Sequence, residues 1–192
     1  MRKVAIVVSV LVMFIASCRS PEQATPEVVK PKSSFEGKTY YTNVNIWYEG
    51  GREDEIRSTN YHRGKILPAG TPVAIQEVNT DGILFELKES GAELKLDYVP
   101  RHTVLSVSEY FKRMFSEKNV LKEKDFTKEE MEAIEAGEVR PGMSKEAVIV
   151  AYGYPPSHET PALSANTWHY WISRWNRRVV EFKDGKVVET KK

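Results

Sequence analysis

Between residues 139 and 156 the apolar positions follow a short helical pattern with punctuation at both ends. Ser144 can cap its start, because the hydroxyl accepts a hydrogen bond from an orphan N–H of the first turn. Met143 before that cap and Val148 four residues after it have the spacing of a hydrophobic staple. Glu146 suits the positive end of the helix dipole. Gly153, with Pro155 and Pro156 beyond it, ends the helix. A helix this short is not stable alone in water, so its apolar residues need a partner. The alternating stretches that follow supply one. Residues 167–172 place Trp168, Tyr170 and Ile172 on one face, and Asp184-Gly185 marks a tight hairpin between residues 178–183 and 186–189. The pattern predicts helices packed on one face of a three-stranded antiparallel meander, an α+β layer.

Upstream the period changes. Residues 35–107 alternate in short runs separated by turns. The runs are the aromatic and β-branched stretch 40–48, residues 73–75, 83–87 and 93–99, with turns at Glu49-Gly50-Gly51-Arg52, Gly64, Gly70, Asp81-Gly82 and Ser90-Gly91. Five or so short strands at this spacing predict a small barrel. From 106 to 120 the pattern is helical, with Tyr110, Phe111, Met114 and Phe115 on one face and Ser108 as a candidate cap; that face is expected to pack between domains. Thr127-Lys128-Glu129-Glu130 is a capping box, and Gly137 stops the helix it opens.

The N-terminus is of another kind. Arg2 and Lys3 precede an apolar run, residues 4–15, that is interrupted only by Ser9, and small Ala16 and Ser17 precede Cys18. This predicts a secretory signal peptide over residues 1–17, too short for a comfortable membrane span. Ile15-Ala16-Ser17-Cys18 resembles a bacterial lipobox, which implies acylation of Cys18 (palmitate among the chains) and cleavage just before it. Cys18 is the single cysteine of the 192 residues, so the chain has no internal disulfide. Residues 19–34, with Pro21, Pro26 and Pro31 among polar residues, predict a disordered tether reaching roughly 20–25 Å. In lipoproteins with this signal an aspartate after the cysteine favours inner-membrane retention; Arg19 gives no such signal, and the expected location is the outer membrane, facing the periplasm. The 28 basic and 27 acidic residues give a net charge of +1. Loss of Arg2 and Lys3 leaves 26 against 27, near −1. Such a balance argues against a nucleic-acid partner.

Few residues suggest chemistry. His62, His102, His158 and His169 show no metal spacing. His158-Glu159 is followed by Thr160-Pro161, which forbids the helix a zincin motif needs. The cysteine is committed to lipid, and no nucleophile elbow or phosphate-cradling glycine loop occurs. The expectation is a non-enzymatic protein with no metal or cofactor. One cluster could bind a partner or a lipid headgroup: Trp171, Arg174, Trp175, Arg177 and Arg178, exposed aromatics beside arginines. The competing reading is that Trp171 is covered by the N-terminal half and the arginines solvate a hairpin tip. Both stay open on sequence alone.

Two resemblances sharpen the picture. Gly142-Met143-Ser144, Val148, Gly153-Tyr154-Pro155, Trp168-His169-Tyr170 and Phe182-Lys183-Asp184-Gly185 follow the order and spacing of the SmpA/OmlA (BamE-like) family of outer-membrane lipoproteins over roughly residues 127–189. Leu67-Pro68-Ala69-Gly70-Thr71-Pro72-Val73 resembles a turn of bacterial SH3-like domains. Together they imply an acylated Cys18 and tether over 18–34, an SH3-like domain over 35–107, a linking helix over 108–124 and a BamE-like domain over 125–192. The family's minimal members lack the β-rich insert of about 70 residues, so this chain departs from them. The implied role is protein interaction in the envelope, in β-barrel assembly or envelope maintenance, with the membrane and other envelope proteins as partners. The alternative is a sensor recognising peptidoglycan or peptide through the β-rich half.

Overall fold

Strand pairing organises the first half, and two short helices with a small sheet organise the second. A computed structural model describes residues 35–49, 55–58, 60–100 and 103–191. The expected signal peptide, Cys18, the expected tether, the expected turn at 50–52 and His102 lie outside these residues. The chain is mixed α+β and rich in strands, with four helices among the described residues. No helix among them is long and apolar enough to cross a membrane.

A six-stranded sheet has the order β3-β7-β6-β5-β1-β8. Its members are β1 (Thr39–Thr42), β3 (Glu55–Arg57), β5 (Pro72–Asn79), β6 (Gly82–Leu87), β7 (Glu93–Asp97) and β8 (Phe115–Ser116). Alternation sends Ile56, Val73, Ile75, Ile83, Phe85, Leu94 and Leu96 to one buried side. The turn between β5 and β6 sits one residue earlier than Asp81-Gly82 suggests. Asn79 pairs with Gly82, and the Asn79 side chain accepts from the N–H groups of Asp81 and Gly82. That local bond outcompetes the Asp-Gly signal.

α1 (Val107–Met114) starts at Ser106, not Ser108. Ser106 and Glu109 form a reciprocal capping box, and Phe115 is already extended. The helical period of 106–120 therefore breaks at Met114, and no continuous linking helix spans 108–124. Phe115 and Ser116 instead pair with Thr42 and Tyr41, and the Phe115 ring meets Phe85 edge-on at 5.1 Å. Strand pairing and burial outweigh helical propensity there. The face carrying Tyr110, Phe111 and Met114 closes the first core with Tyr40 rather than bridging two domains.

In the second half α2 (Val120–Glu123) leads to α3 (Lys128–Ala136), α4 (Lys145–Tyr152), β9 (Thr167–Trp171), β10 (Arg177–Lys183) and β11 (Lys186–Lys191). The last three form the antiparallel sheet β11-β10-β9. Its inner face, Trp168, Tyr170, Val180, Phe182 and Val187, packs on Ala133, Ile134, Ala147, Val148 and Ala151 of the helices. Thr127 and Ser144 cap α3 and α4 as their sequences predict. Glu130 is buried in this layer. Burial alone would raise its pKa, but bonds from the Ser144 and Thr127 backbone and from Lys186 outweigh it and hold the carboxyl below its usual range.

One ribbon belongs to both cores. β2 (Ile46–Tyr48) pairs with β4 (Lys65–Leu67). Ile46 and Leu67 enter the first core, while Trp47 and Ile66 enter the second. The pleat of two short strands thus joins the halves.

Candidate functional site

The corner where that ribbon meets α4 and β9 is built on hydrogen bonds. An α-helix leaves its last four carbonyls without partners. In α4 the carbonyl of Ile149 accepts from the Gly153 N–H at 2.8 Å. That of Val150 accepts from the Asn45 backbone at 2.8 Å, and that of Ala151 from Asn45 Nδ2 at 3.1 Å. The Tyr152 carbonyl meets Asn60 Nδ2 at 3.4 Å and His62 Nε2 at 2.8 Å. Asn45 Nδ2 also donates to Ile134 O at the end of α3 (2.6 Å), and its Oδ1 accepts from the Ala69 N–H at 2.8 Å. Asn45 is 1% exposed, and every hydrogen-bonding atom of its side chain is used.

Asn60 and His62 lie in a tight segment. Asn60 has a positive φ of 45°, and Arg63 N–H donates to the Tyr61 carbonyl at 2.8 Å. This geometry turns Asn60 and His62 inward. Gly153 makes room: its φ is +80°, and a Cβ there would lie 2.5 Å from Asn60 Nδ2. The sequence pattern places a left-handed cap at Gly153; what the position requires instead is an extended ψ and the approach of Asn60.

His62 stacks on Tyr152 at 3.8 Å and meets Trp47 and Tyr170 edge-on. Its Nδ1 is 3.2 Å from the Trp171 carbonyl. A neutral ring donates from one nitrogen only, so the two carbonyls together favour the imidazolium. Burial opposes this and dominates; with a smaller push from Arg178 it lowers the pKa to about 4. His62 is therefore neutral near pH 7. Arg178 also donates to the Tyr152 hydroxyl at 2.7 Å, while burial raises the pKa of that phenol.

All five sequence-predicted contact residues fall in this corner, in different settings. Trp171 is half-buried, with Tyr61 and His158 beside it and the Arg177 guanidinium 4.9 Å above its ring. Arg177 also pairs with Glu159 at 3.1 Å. Arg178 is engaged by Tyr152. Trp175 is 83% exposed at the tip between β9 and β10, with Arg174 stacked on it at 5.1 Å. A cleft of about 640 Å³ lies beside the tip, lined by Ile172, Trp175, Asn176, Arg177 and Arg178. His169 sits half-buried on β9, and its backbone N–H donates to Thr160 Oγ1.

Asn60 carries no signal in the sequence, and His62 stands out only as one of four histidines without metal spacing. One signal was present: Asn43 and Asn45 interrupt an aromatic β run, where asparagine is disfavoured. For His62 no periodic signal exists. Among the described residues no group of His, Cys, Asp and Glu could hold a metal ion. No family model, curated protein or solved structure matches the chain.

Proposed function

We propose that the chain is a non-enzymatic lipoprotein, anchored through acyl chains on Cys18 to the outer membrane and facing the periplasm, that docks other envelope proteins. On this reading residues 35–107 form an SH3-like module and residues 125–192 a BamE-like one, and the role is in β-barrel assembly or envelope maintenance. The observation that carries it is the 83% exposure of Trp175, with Arg174 stacked on it, at the tip of a turn whose flanking residues are held by neighbours. Trp and Arg are the residues most enriched where binding energy concentrates. An exposed pair of this kind costs solubility and adds little to folding.

A photo-crosslinker at position 175 in living cells tests the docking role. Adducts with barrel-assembly subunits, absent when the crosslinker is at exposed Gln76, are expected. Equal adducts from both positions, or none, would sink it. The anchor is tested separately by Cys18→Ala, which should abolish processing and membrane fractionation; unchanged mass and fractionation refute the lipid.

A further inference from the structure

The two cores meet along a seam, and a cleft of about 370 Å³ opens on it. Its lining falls in the segments 42–45, 115–125, 145–155 and 162–164, all among the described residues. Val44 belongs to the first core and Val150 to the second, and Ile149 packs on both. These three line the cleft with Val120, Tyr154 and Leu163, which stay half-buried. Small-molecule sites are concave, mostly apolar and roughly 300–1,000 Å³ in volume, and they favour the junctions between packed units. The seam cleft has that size, that lining and that position.

Its walls are held by local bonds before any ligand arrives. Asn119 caps α2, its Oδ1 accepting from the Leu121 N–H at 2.9 Å, and this sets Val120 on one side. Past Gly153, Pro155 and Pro156 bar any continuation of α4. The loop that follows is fastened by Lys145, whose Nζ donates to the carbonyls of Leu163, Ser164 and Ala165 at 3.2, 3.0 and 2.6 Å. All three ammonium donors are spent there, and Leu163 is fixed as a wall. Preorganisation of this kind lowers the cost of binding. Two ion pairs ring the apolar surface. Lys118 pairs with Glu123 at 3.1 Å and Lys124 with Glu146 at 3.1 Å, and all four exposed side chains line the cleft. Exposed pairs of this kind contribute little to folding, so a ligand can replace them at small cost. The rim is balanced in charge. A lone anion meets two carboxylates and a lone cation two ammoniums, whereas a ligand with one charge of each sign finds a partner for both.

We propose that this cleft binds a small zwitterion with an aliphatic body, an apolar amino acid or short peptide. Its carboxylate takes a lysine of the rim and its ammonium a glutamate, both through charge-assisted hydrogen bonds. Its side chain covers Ile149 and Leu163 and removes their remaining apolar surface from water. The site goes beyond the docking role above and does not depend on it.

Calorimetric titration of the mature full-length chain in detergent, against a protein-free detergent blank, tests it with leucine, leucyl-leucine, N-acetyl-leucinamide and glycine. Saturable binding of leucine or leucyl-leucine is expected. N-acetyl-leucinamide, which lacks the charges, and glycine, which lacks the body, should bind at least about tenfold more weakly. A response to leucine alone marks an amino-acid site, and one to leucyl-leucine alone a peptide site. The double variant Lys124→Gln/Glu146→Gln should weaken binding at least about tenfold, since hydrogen bonds to charged groups are the strong ones. Its melting curve should match the parent's, because the pair it removes is exposed. Failure of both zwitterions to saturate overturns the site. So does binding that N-acetyl-leucinamide or glycine matches, or that the double variant leaves unchanged.

Discussion

Replacing Asn45 with alanine should be among the most damaging single changes in the chain. The substitution removes two donated bonds, to Ile134 O and Ala151 O, and one accepted from the Ala69 N–H. All three are buried, and the side chain sits where water does not reach. A hydrogen bond contributes about 1 kcal/mol net, but leaving a buried partner unsatisfied costs about 1–3 kcal/mol. Three orphaned groups, partly relieved by backbone relaxation, give a loss of about 3–6 kcal/mol. That is a large share of the ~5–15 kcal/mol by which a domain is stable. Urea unfolding of the mature chain followed by circular dichroism reads it directly. Asn45→Asp separates hydrogen bonding from shape. It keeps the acceptor for Ala69 but turns a carboxylate toward two carbonyls, so it should destabilise at least as much as alanine. Asn43→Ala is the neighbouring control. Asn43 is only part-buried; it donates to Lys112 O and Arg113 O at the end of α1 and accepts from the Ser116 hydroxyl, and because these groups can reach water about 1–2 kcal/mol is expected. A loss below about 1 kcal/mol for Asn45→Ala would refute the claim that this side chain caps two helices.

Acid should weaken the fold through His62. Its folded-state pKa is about 4 against an ordinary value of 6.5, so the unfolded chain takes up the proton first. The contribution is fully present above pH 6.5 and lost as pH falls toward 4, up to about 3 kcal/mol. Thermal melts of wild type and His62→Phe between pH 4 and 7 should converge as pH falls; a constant difference contradicts the assignment. Gly153→Ala should cost about 2 kcal/mol, from a strained positive φ plus displacement of Asn60, and a melt unchanged within error would argue against both causes. Trp175→Ala should leave stability within about 0.5 kcal/mol, because the side chain packs on little besides Arg174, while docking partners are lost in co-purification.

Local pattern was enough for the second half's elements. The Thr127 and Ser144 caps, the staple pair Met143 and Val148, the face of Trp168 and Tyr170 and the turn at Asp184, with φ of 52°, are all decided within a few residues of chain. Such features depend on neighbours at i+3, i+4 or i+2, which a sequence displays directly. The grouping of tryptophans and arginines at 171–178 was legible as composition, but its division was not. The sequence cannot say that Arg178 turns to Tyr152 and Arg177 to Glu159 while Trp175 stays exposed, because those two partners lie 26 and 18 residues away.

Where Phe115 goes was likewise settled from afar, by the open edge of β1. The same holds for the joint between the halves. Asn45 meets carbonyls 89 and 106 residues distant, and His62 meets one 109 residues distant. Helix ends expose carbonyls that something must satisfy, but any buried donor serves, so no spacing rule points to which one. The sequence by itself determined the Thr127 and Ser144 caps, the Asp184-Gly185 turn and the meander. Only the tertiary structure decided that one ribbon would serve two cores and that three inward-turned polar side chains, Asn45, Asn60 and His62, would close the end of α4.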